Sequence, residues 1–294
     1  MKKKRTKSLR QQFRDIRKKE EWLKWIRAGS VMIMLAAAGA MIIIGIRDYR
    51  DKEAMNAMRN KLKQAGMETN AVVPEEKELS NAKISPSPEP VRDMKKWYQE
   101  IWEHNNDFVG WLTIPDTRID YPVMQRPEDE DYYLTRGFDE ANNKNGSLFA
   151  DTDCQIGRGT KEEYVIQPSG HIIIHGHSRK SGEMFGGLLR YAEESYTREH
   201  SVIYLDTAYE RRTYEVIAVF QSQIYKQREE AFKYYNYFEF MEEKDFTYFY
   251  DNIKAMSFFD TGVTAEFGDE FISLSTCSYL VDNTRFVVMA KRIK

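Results

Sequence analysis

Residues that could form a nucleophilic site occur near the ends of three predicted strands. Cys277 lies in "FISLSTCSYL", where Ser and Thr neighbours make its surroundings more polar than those of a core cysteine. His177 follows Gly176 at the end of "HIIIHGH" and begins a polar loop, a common place for functional side chains. Arg285 begins the apolar segment "RFVVMAKRI". A thiol, an imidazole and a fixed positive charge together suit covalent catalysis with a stabilised oxyanion.

The histidine-rich segment also leaves a metal site open. His171, His175 and His177 would share one face of an extended strand, because alternate residues point the same way. A catalytic zinc usually takes three protein ligands and a water, so this cluster could serve a zinc-dependent hydrolase. The loop that follows offers cations such as Arg179 rather than further ligands. We therefore expect His171 and His175 to be hydrogen-bonded strand residues.

Short β-branched and aromatic segments predict a mainly β fold for residues 91–294. The predicted strands are "GWLTI", "YPVMQ", "YVIQ", "HIIIHGH", "SVIYLDT", "TYEVIAVFQSQI", "EFISLSTCSY" and "RFVVMAKRI". A helix is predicted near residues 94–102, and two more near residues 184–195 and 240–256. This order indicates a closed or nearly closed β-barrel with inserted helices. The last two strands are predicted to form a hairpin that brings Arg285 to the same rim as Cys277.

The N-terminal region has the pattern of a membrane anchor. Residues 1–27 contain 12 Lys and Arg against 3 acidic residues, whereas the whole chain has a net charge of −2. Residues 28–46 contain no charged residue and are about long enough to cross a bilayer. The positive-inside rule then places residues 1–27 in the cytoplasm and the acidic remainder outside. A cleaved signal peptide is the alternative, but its apolar region is usually shorter.

The remainder of the chain divides at a linker rich in Pro and Ser. Residues 47–90 are predicted to form a juxtamembrane stalk and linker, and residues 91–294 the folded domain. The acidic character of this domain argues against nucleic acid as a partner. The chain has two cysteines, Cys154 and Cys277, which an exported domain could join in a disulfide. The alternative is a free reactive thiol at Cys277, with Cys154 incidental.

In combination, these motifs resemble the class B sortases of Gram-positive bacteria. The similarity lies in "GH" before a polar loop, "GEMFGGL", "LSTC" with an Arg eight residues later, and "DFVGWLTIPDTRIDYPVMQ…DYYL…NGSLFAD" within residues 107–151. It extends over most of residues 92–294. The resemblance implies a closed eight-stranded β-barrel with an N-terminal helix and inserted helices, preceded by a single transmembrane helix.

The resemblance also implies an activity. A cysteine transpeptidase held at the cell membrane would cleave an NPxT-type C-terminal sorting signal of exported proteins after Thr, through a thioester on Cys277. An amine of a peptidoglycan precursor or a pilin would then resolve the thioester. His177 would be the acid/base and Arg285 would stabilise the oxyanion. No metal or cofactor is implied. The zinc-dependent hydrolase and a non-enzymatic membrane-anchored scaffold are the alternatives.

Three further positions match the substrate groove of the family. Leu134 and Ser275 would line this groove, and the backbone N–H of Ser278 would add a second oxyanion donor. Two features depart from the family pattern. Glu130 occupies a position where Asn is common, and the aromatic segment "FKYYNYFEF" (residues 232–240) does not align with the substrate-facing loop. That segment either faces the substrate or packs against the helix predicted near residues 240–256.

Overall fold

The computed structural model describes residues 95–156, 168–179, 181–225, 228–277 and 284–294, and parts of an N-terminal helix between residues 22 and 60; for Cys277 it describes the backbone alone. The predicted strand "YVIQ", Ser278, and most of residues 1–27 and 47–90 lie outside these ranges. The N-terminal helix and the barrel belong to separate units of the chain.

The N-terminal helix is a candidate membrane span. Lys24–Ile43 forms 20 residues of helix with a mean hydropathy of 1.9, which suffices for a membrane crossing by length and composition. Its large apolar side chains are exposed, for example Ile33 and Leu35. A signal sequence passes the same test. The helix overlaps the predicted span of residues 28–46 but begins earlier.

Eight strands form a closed barrel, as the sequence predicts. Around the barrel they follow the order β1-β2-β3-β4-β7-β8-β6-β5. Their bounds are β1 Phe108–Thr113, β2 Asp120–Met124, β3 Leu148–Ala150, β4 His171–Gly176, β5 Val202–Asp206, β6 Arg211–Gln223, β7 Phe271–Cys277 and β8 Thr284–Arg292. The β7–β8 pair is antiparallel, which confirms the predicted hairpin. The three-residue β3 was not predicted, because so short a strand has no clear alternation.

In the described part of residues 95–294, three α-helices accompany the barrel. They are α1 (Lys96–Trp102), α2 (Glu194–Glu199) and α3 (Glu243–Met256), and short 3₁₀ helices occupy Tyr132–Leu134, Leu188–Ala192 and Tyr234–Asn236. The lead-in helix and the helix near residues 240–256 are thereby confirmed.

The helix predicted near residues 184–195 is wrong. The chain there forms turns, then the 3₁₀ helix Leu188–Ala192, and α2 begins only at Glu194. Met184 has a φ of 52°, which lies in the left-handed region and is incompatible with an α-helix. Gly186 and Gly187 follow two and three residues later and lower the helix propensity of the same turn.

An apolar cluster joins α3 to the β4, β6, β7 and β8 strands. It is built around Ile173, Phe220, Phe249, Phe271 and Val287, all buried. The aromatic segment of residues 232–240 packs on this cluster. The rings of Tyr237 and Phe240 lie 5.5 Å and 4.8 Å from that of Phe249. The packing alternative for this segment is therefore confirmed.

Candidate active site

The pairing of β4 with β7 brings residues 177 and 277 to the same end of the barrel. These strands are parallel, and six successive pairs run from His171↔Phe271 to Gly176↔Thr276. Cys277 is the last residue of β7, and His177 directly follows β4. Residues 177 and 277 are thus the next pair in this unbroken register. Adjacent strands lie about 4.8 Å apart.

The β8 strand adds Arg285 to this end. Cys277 and Arg285 are direct partners in the antiparallel β7–β8 ladder. Arg285 is partly buried and pairs on its other side with Ser222 of β6. The backbone therefore brings all three predicted catalytic positions onto neighbouring strands, although they are separated by up to about a hundred residues in the sequence.

His177 is held by a backbone carbonyl. Its Nε2 lies 2.8 Å from the carbonyl oxygen of Leu134, in the 3₁₀ helix Tyr132–Leu134. A carbonyl can only accept, so Nε2 must carry a proton and donate it. In neutral His177 the unprotonated nitrogen is then Nδ1, which has no hydrogen-bond partner among the residues that the structure describes. Nδ1 is the nitrogen able to take up and release a proton.

The surroundings of His177 favour its neutral form. Burial lowers the pKa of His177, and the positive charges of Arg179 and Arg285 lower it further. The hydrogen bond to the Leu134 carbonyl acts in the opposite direction but does not cancel these effects. An imidazole with a lowered pKa is a weak base when free and a strong acid once protonated, which suits protonation of a leaving amine.

Gly176 is required by packing rather than by a turn. A Cβ at this position would collide with the side chains of Leu148 and Phe185. Its φ is not in the left-handed region, so the backbone conformation here does not itself require a glycine. The polar loop after it is closed by a 3.0 Å hydrogen bond from the Phe185 N–H to the His177 carbonyl. Close packing on one side and this bond on the other fix the backbone of His177.

The three histidines do not converge on one metal position. His175 Nε2 lies 3.1 Å from Asp151 Oδ2, whereas His177 Nε2 faces the Leu134 carbonyl. His171 is fully buried, with Nδ1 2.6 Å from the Tyr237 carbonyl and Nε2 2.7 Å from Ser273 Oγ. Among the described residues, the predicted ligand set for a zinc-dependent hydrolase is therefore not assembled.

His171 is a structural residue, as expected. The Tyr237 carbonyl can only accept, so Nδ1 of His171 carries the proton and Nε2 accepts from the Ser273 hydroxyl. Burial lowers the pKa of His171 to about 4. The neutral ring joins the aromatic segment of residues 232–240 to the face of β7 that also contains position 277.

Ser275 is buried on that same face of β7. It is 1% exposed, and its hydroxyl lies 2.8 Å from the hydroxyl of the buried Tyr234. Its predicted part in the substrate groove stays a prediction, as does that of Leu134, whose side chain is partly buried. Sequence reasoning missed Tyr234. Its only signal was membership of the aromatic segment, which alone does not identify one ring.

Cys154 is not a reactive thiol. It is free and 2% exposed, and its sulfur accepts a 3.2 Å hydrogen bond from the Ile173 N–H. Burial raises the pKa of its thiol, so the thiolate is disfavoured. It therefore takes no part in a disulfide in this structure, which agrees with the expectation that it is incidental to the chemistry.

Comparison with known proteins gives a consistent result. The sortase domain family model matches residues 112–293. Sortase B of Listeria monocytogenes is 32% identical over 205 residues, which is 69% of this chain and 75% of that protein. Sortase B of Bacillus anthracis in complex with AAEK1 is 30% identical, with a TM-score of 0.57 over 70% of this chain and 89% of that one. The Staphylococcus aureus sortase B–substrate complex has the same fold, with a TM-score of 0.66 at 22% identity over 85% of this chain and 99% of that one.

The family assignment agrees with the closed eight-stranded barrel. It also excludes the non-enzymatic scaffold, because sortases are enzymes that act on sorting-signal substrates. The chain belongs to the sortase family and, with sortase B proteins as its relatives, is a cysteine transpeptidase of class B.

Proposed function

We propose that this transpeptidase cleaves an NPxT-type C-terminal sorting signal after Thr and transfers the exported protein to an amine of a peptidoglycan precursor or a pilin. The observation that supports it most is the common register of β4, β7 and β8 at residues 177, 277 and 285. A nucleophile, an acid/base and a fixed positive charge at neighbouring strand ends meet the needs of acyl transfer.

In the first half-reaction, the Cys277 thiolate attacks the Thr carbonyl carbon and forms a tetrahedral oxyanion. The C–N bond then breaks, and the leaving amine takes a proton from Nδ1 of His177. In the second half-reaction, the acceptor amine attacks the thioester and gives its proton to Nδ1, while Cys277 leaves as the thiolate. One peptide bond is exchanged for another, so the sequence needs neither an oxidant nor a reductant.

The hydrogen bond to the Leu134 carbonyl supports Nδ1 as the nitrogen that transfers these protons. Because Nε2–H of His177 is engaged at 2.8 Å, a proton delivered to the leaving amine has to come from the opposite nitrogen. The carbonyl thereby does for His177 what a buried carboxylate does for the histidine of a serine protease, without adding a negative charge. The proposed acid therefore stays stronger than a carboxylate-paired imidazolium would be.

Arg285 has the role of oxyanion stabiliser in this scheme. Arg285 pairs with Cys277 in the β7–β8 ladder, so its side chain extends from the strand next to the nucleophile. A guanidinium stays charged throughout the accessible pH range and has several donors for a carbonyl oxygen and the substrate backbone. The backbone N–H of Ser278 is the proposed second donor, and Leu134 and Ser275 are proposed to contribute to the substrate groove.

The apolar helix Lys24–Ile43 would anchor the enzyme in the cell membrane as a single span. The basic residues 1–27 favour a cytoplasmic N-terminus, which leaves the catalytic domain, residues 91–294, outside the cell. This orientation matches substrates that are themselves exported. Residues 47–90 would then serve as the stalk and linker between membrane and barrel.

Product analysis tests the proposal. The full chain in detergent is incubated with NPxT-containing peptides and with two amines, a peptidoglycan stem peptide and a Lys-containing pilin peptide. Mass spectrometry should find cleavage after Thr and the N-terminal fragment joined to an added amine. Cleavage at other bonds, or hydrolysis that is insensitive to Cys277→Ala and abolished by a chelator, would contradict the proposal and favour the zinc-dependent hydrolase.

A further inference from the structure

A group of three metal-ligating side chains lies beside the candidate active site. Glu130 precedes the 3₁₀ helix Tyr132–Leu134, Asp151 follows β3, and His175 is on β4. One donor atom from each lies within 4.8 Å of the others. These donors come from three different segments of the chain, so their proximity is a product of the fold and not of local sequence.

Two of the three donors are already held in place. The side chains of Asp151 and His175 are 11% and 18% exposed, and their Oδ2 and Nε2 atoms are 3.1 Å apart. The other carboxylate oxygen of Asp151 accepts a 3.0 Å hydrogen bond from the Asp153 N–H. The His175 ring packs against Phe149, with ring centroids 5.4 Å apart. Fixed ligands of this kind lose little freedom when they bind an ion.

The third donor lacks a compensating charge. Glu130 makes no hydrogen bond or ion pair with the other residues that the structure describes. One of its carboxylate oxygens lies within 4.8 Å of a donor atom of Asp151 and of His175. A carboxylate among carboxylates is a position where a cation is favoured.

We propose that Glu130, Asp151 and His175 bind one divalent transition-metal ion of the Zn²⁺ type. Imidazole nitrogen and carboxylate oxygen are ligands that Zn²⁺ accepts, with water completing the coordination. Tetrahedral zinc needs ligand atoms about 3.3 Å apart. The Asp151–His175 pair is already near that spacing, and rotation of the exposed Glu130 side chain closes the remainder. The ion takes the place of the proton between His175 Nε2 and Asp151, and that proton is released to solvent.

This site differs from a three-histidine hydrolase site in its ligands and in its role. The ion would connect Glu130 to β4, and Glu130 is only four residues before Leu134, whose carbonyl holds His177. His177 itself is not a ligand and stays available for proton transfer. The ion therefore stabilises the segment that orients His177. The proposal does not depend on the identity of the sorting signal.

Calorimetric titration of the full chain in detergent with ZnCl₂ tests the proposal. Cys277→Ala is used as the background, so that the thiol cannot bind the metal. We expect one Zn²⁺ per chain, and an affinity reduced at least about tenfold by Glu130→Gln and by His175→Gln. Asp153→Asn is the matched control, because it removes a neighbouring exposed carboxylate that is outside the donor set. Its affinity for Zn²⁺ should equal that of the background.

Three results would overturn the proposal. Unchanged affinity in Glu130→Gln and His175→Gln would place any bound ion elsewhere. An equal loss in Asp153→Asn would mean diffuse attraction by the acidic surface. If Zn²⁺ did not bind, and if the enzyme preferred peptides that contain Lys in a way that Glu130→Gln abolished, the cation at this site would be a substrate side chain and not a metal ion. Glu130 is exposed, so its Gln variant is expected to fold and the comparison stays decisive.

Discussion

Nε2 of His177 donates a 2.8 Å hydrogen bond to the backbone carbonyl of Leu134, 43 residues earlier in the chain. This bond fixes both the orientation of the ring and the position of its proton. It also gives Leu134 a role that does not involve its side chain. A substitution such as Leu134→Ala can therefore change substrate binding while leaving His177 correctly held.

The first prediction concerns the protonation of His177. Arg179→Gln removes a positive charge beside the ring, and since that charge disfavours the imidazolium, the pKa of His177 should rise. NMR titration of ring-labelled histidine measures this pKa and reports the Nε2–H tautomer in the neutral form. Arg118→Gln is the control, because its guanidinium bonds the Ser181 carbonyl in the same loop. An unchanged pKa in Arg179→Gln would contradict the electrostatic account.

The second prediction concerns Arg285. Arg285→Lys keeps the charge but loses the planar set of donors, so acyl-enzyme formation should slow by about a hundredfold. Arg292→Lys, at the other end of β8, is the control. Arg292 pairs with Glu210 and Glu270, and its replacement should affect stability without changing the rate of acylation. Single-turnover kinetics measures the acylation rate of both variants. Equal rates for Arg285→Lys and Arg292→Lys would refute the oxyanion role of Arg285.

The third prediction concerns stability and pH. The pKa of His171 is about 4 in the folded chain and about 6.5 when unfolded, so the unfolded state binds more protons between these values. The stabilisation is complete above about pH 6.5 and is lost as the pH falls towards 4. Between about pH 7.5 and about pH 5 the loss from this residue should be about 2 kcal/mol. Urea unfolding followed by near-UV circular dichroism measures it.

His171→Gln is the variant that isolates this effect. It should be less stable than the parent at neutral pH, because it breaks hydrogen bonds to Tyr237 and Ser273. Since Gln does not titrate, the variant should lose less stability on acidification than the parent. The same acid dependence in parent and variant would show that another group is responsible.

The fourth prediction concerns the buried hydroxyl groups of Tyr234 and Ser275, which lie close to position 277 because Ser275 is two residues earlier on β7. Tyr234→Phe and Ser275→Ala should each destabilise the fold by about 1–3 kcal/mol, because each leaves one buried hydroxyl unpaired. The double variant should cost about as much as one single variant. Tyr191→Phe with Ser275→Ala is the control pair, since the Tyr191 hydroxyl bonds the His200 carbonyl instead. Strict additivity for Tyr234 and Ser275 would contradict a direct bond between them.

Alternation and turn residues were enough to predict the barrel, the lead-in helix and the hairpin of β7 and β8. These features depend on local patterns or on neighbours in the sequence. The parallel pairing of β4 with β7 could not be predicted from the pattern, because it joins segments about a hundred residues apart. The prediction of a helix near residues 184–195 failed because Met184 has a left-handed backbone, and methionine is not a residue type that indicates such a backbone.

The candidate site likewise contains groups that the sequence could identify and groups that only the fold could identify. Cys277, His177 and Arg285 could be proposed from the sequence because each lies near the end of a predicted strand, and because the chain has only two cysteines and five histidines. The Leu134 carbonyl was not, since every residue has a carbonyl and only the fold selects one. In the sequence, Glu130 differs from the family pattern, in which Asn is common at this position. Its proximity to Asp151 and His175 emerged only from the arrangement of three segments.

The most direct test of the account is the intact mass of the full chain after brief mixing with an NPxT peptide. The account predicts an adduct equal to the peptide fragment that ends in Thr, located on Cys277 by peptide mapping and released by hydroxylamine. The adduct should be absent in Cys277→Ala. An adduct on a different residue, or peptide cleavage that persists in Cys277→Ala, would contradict it.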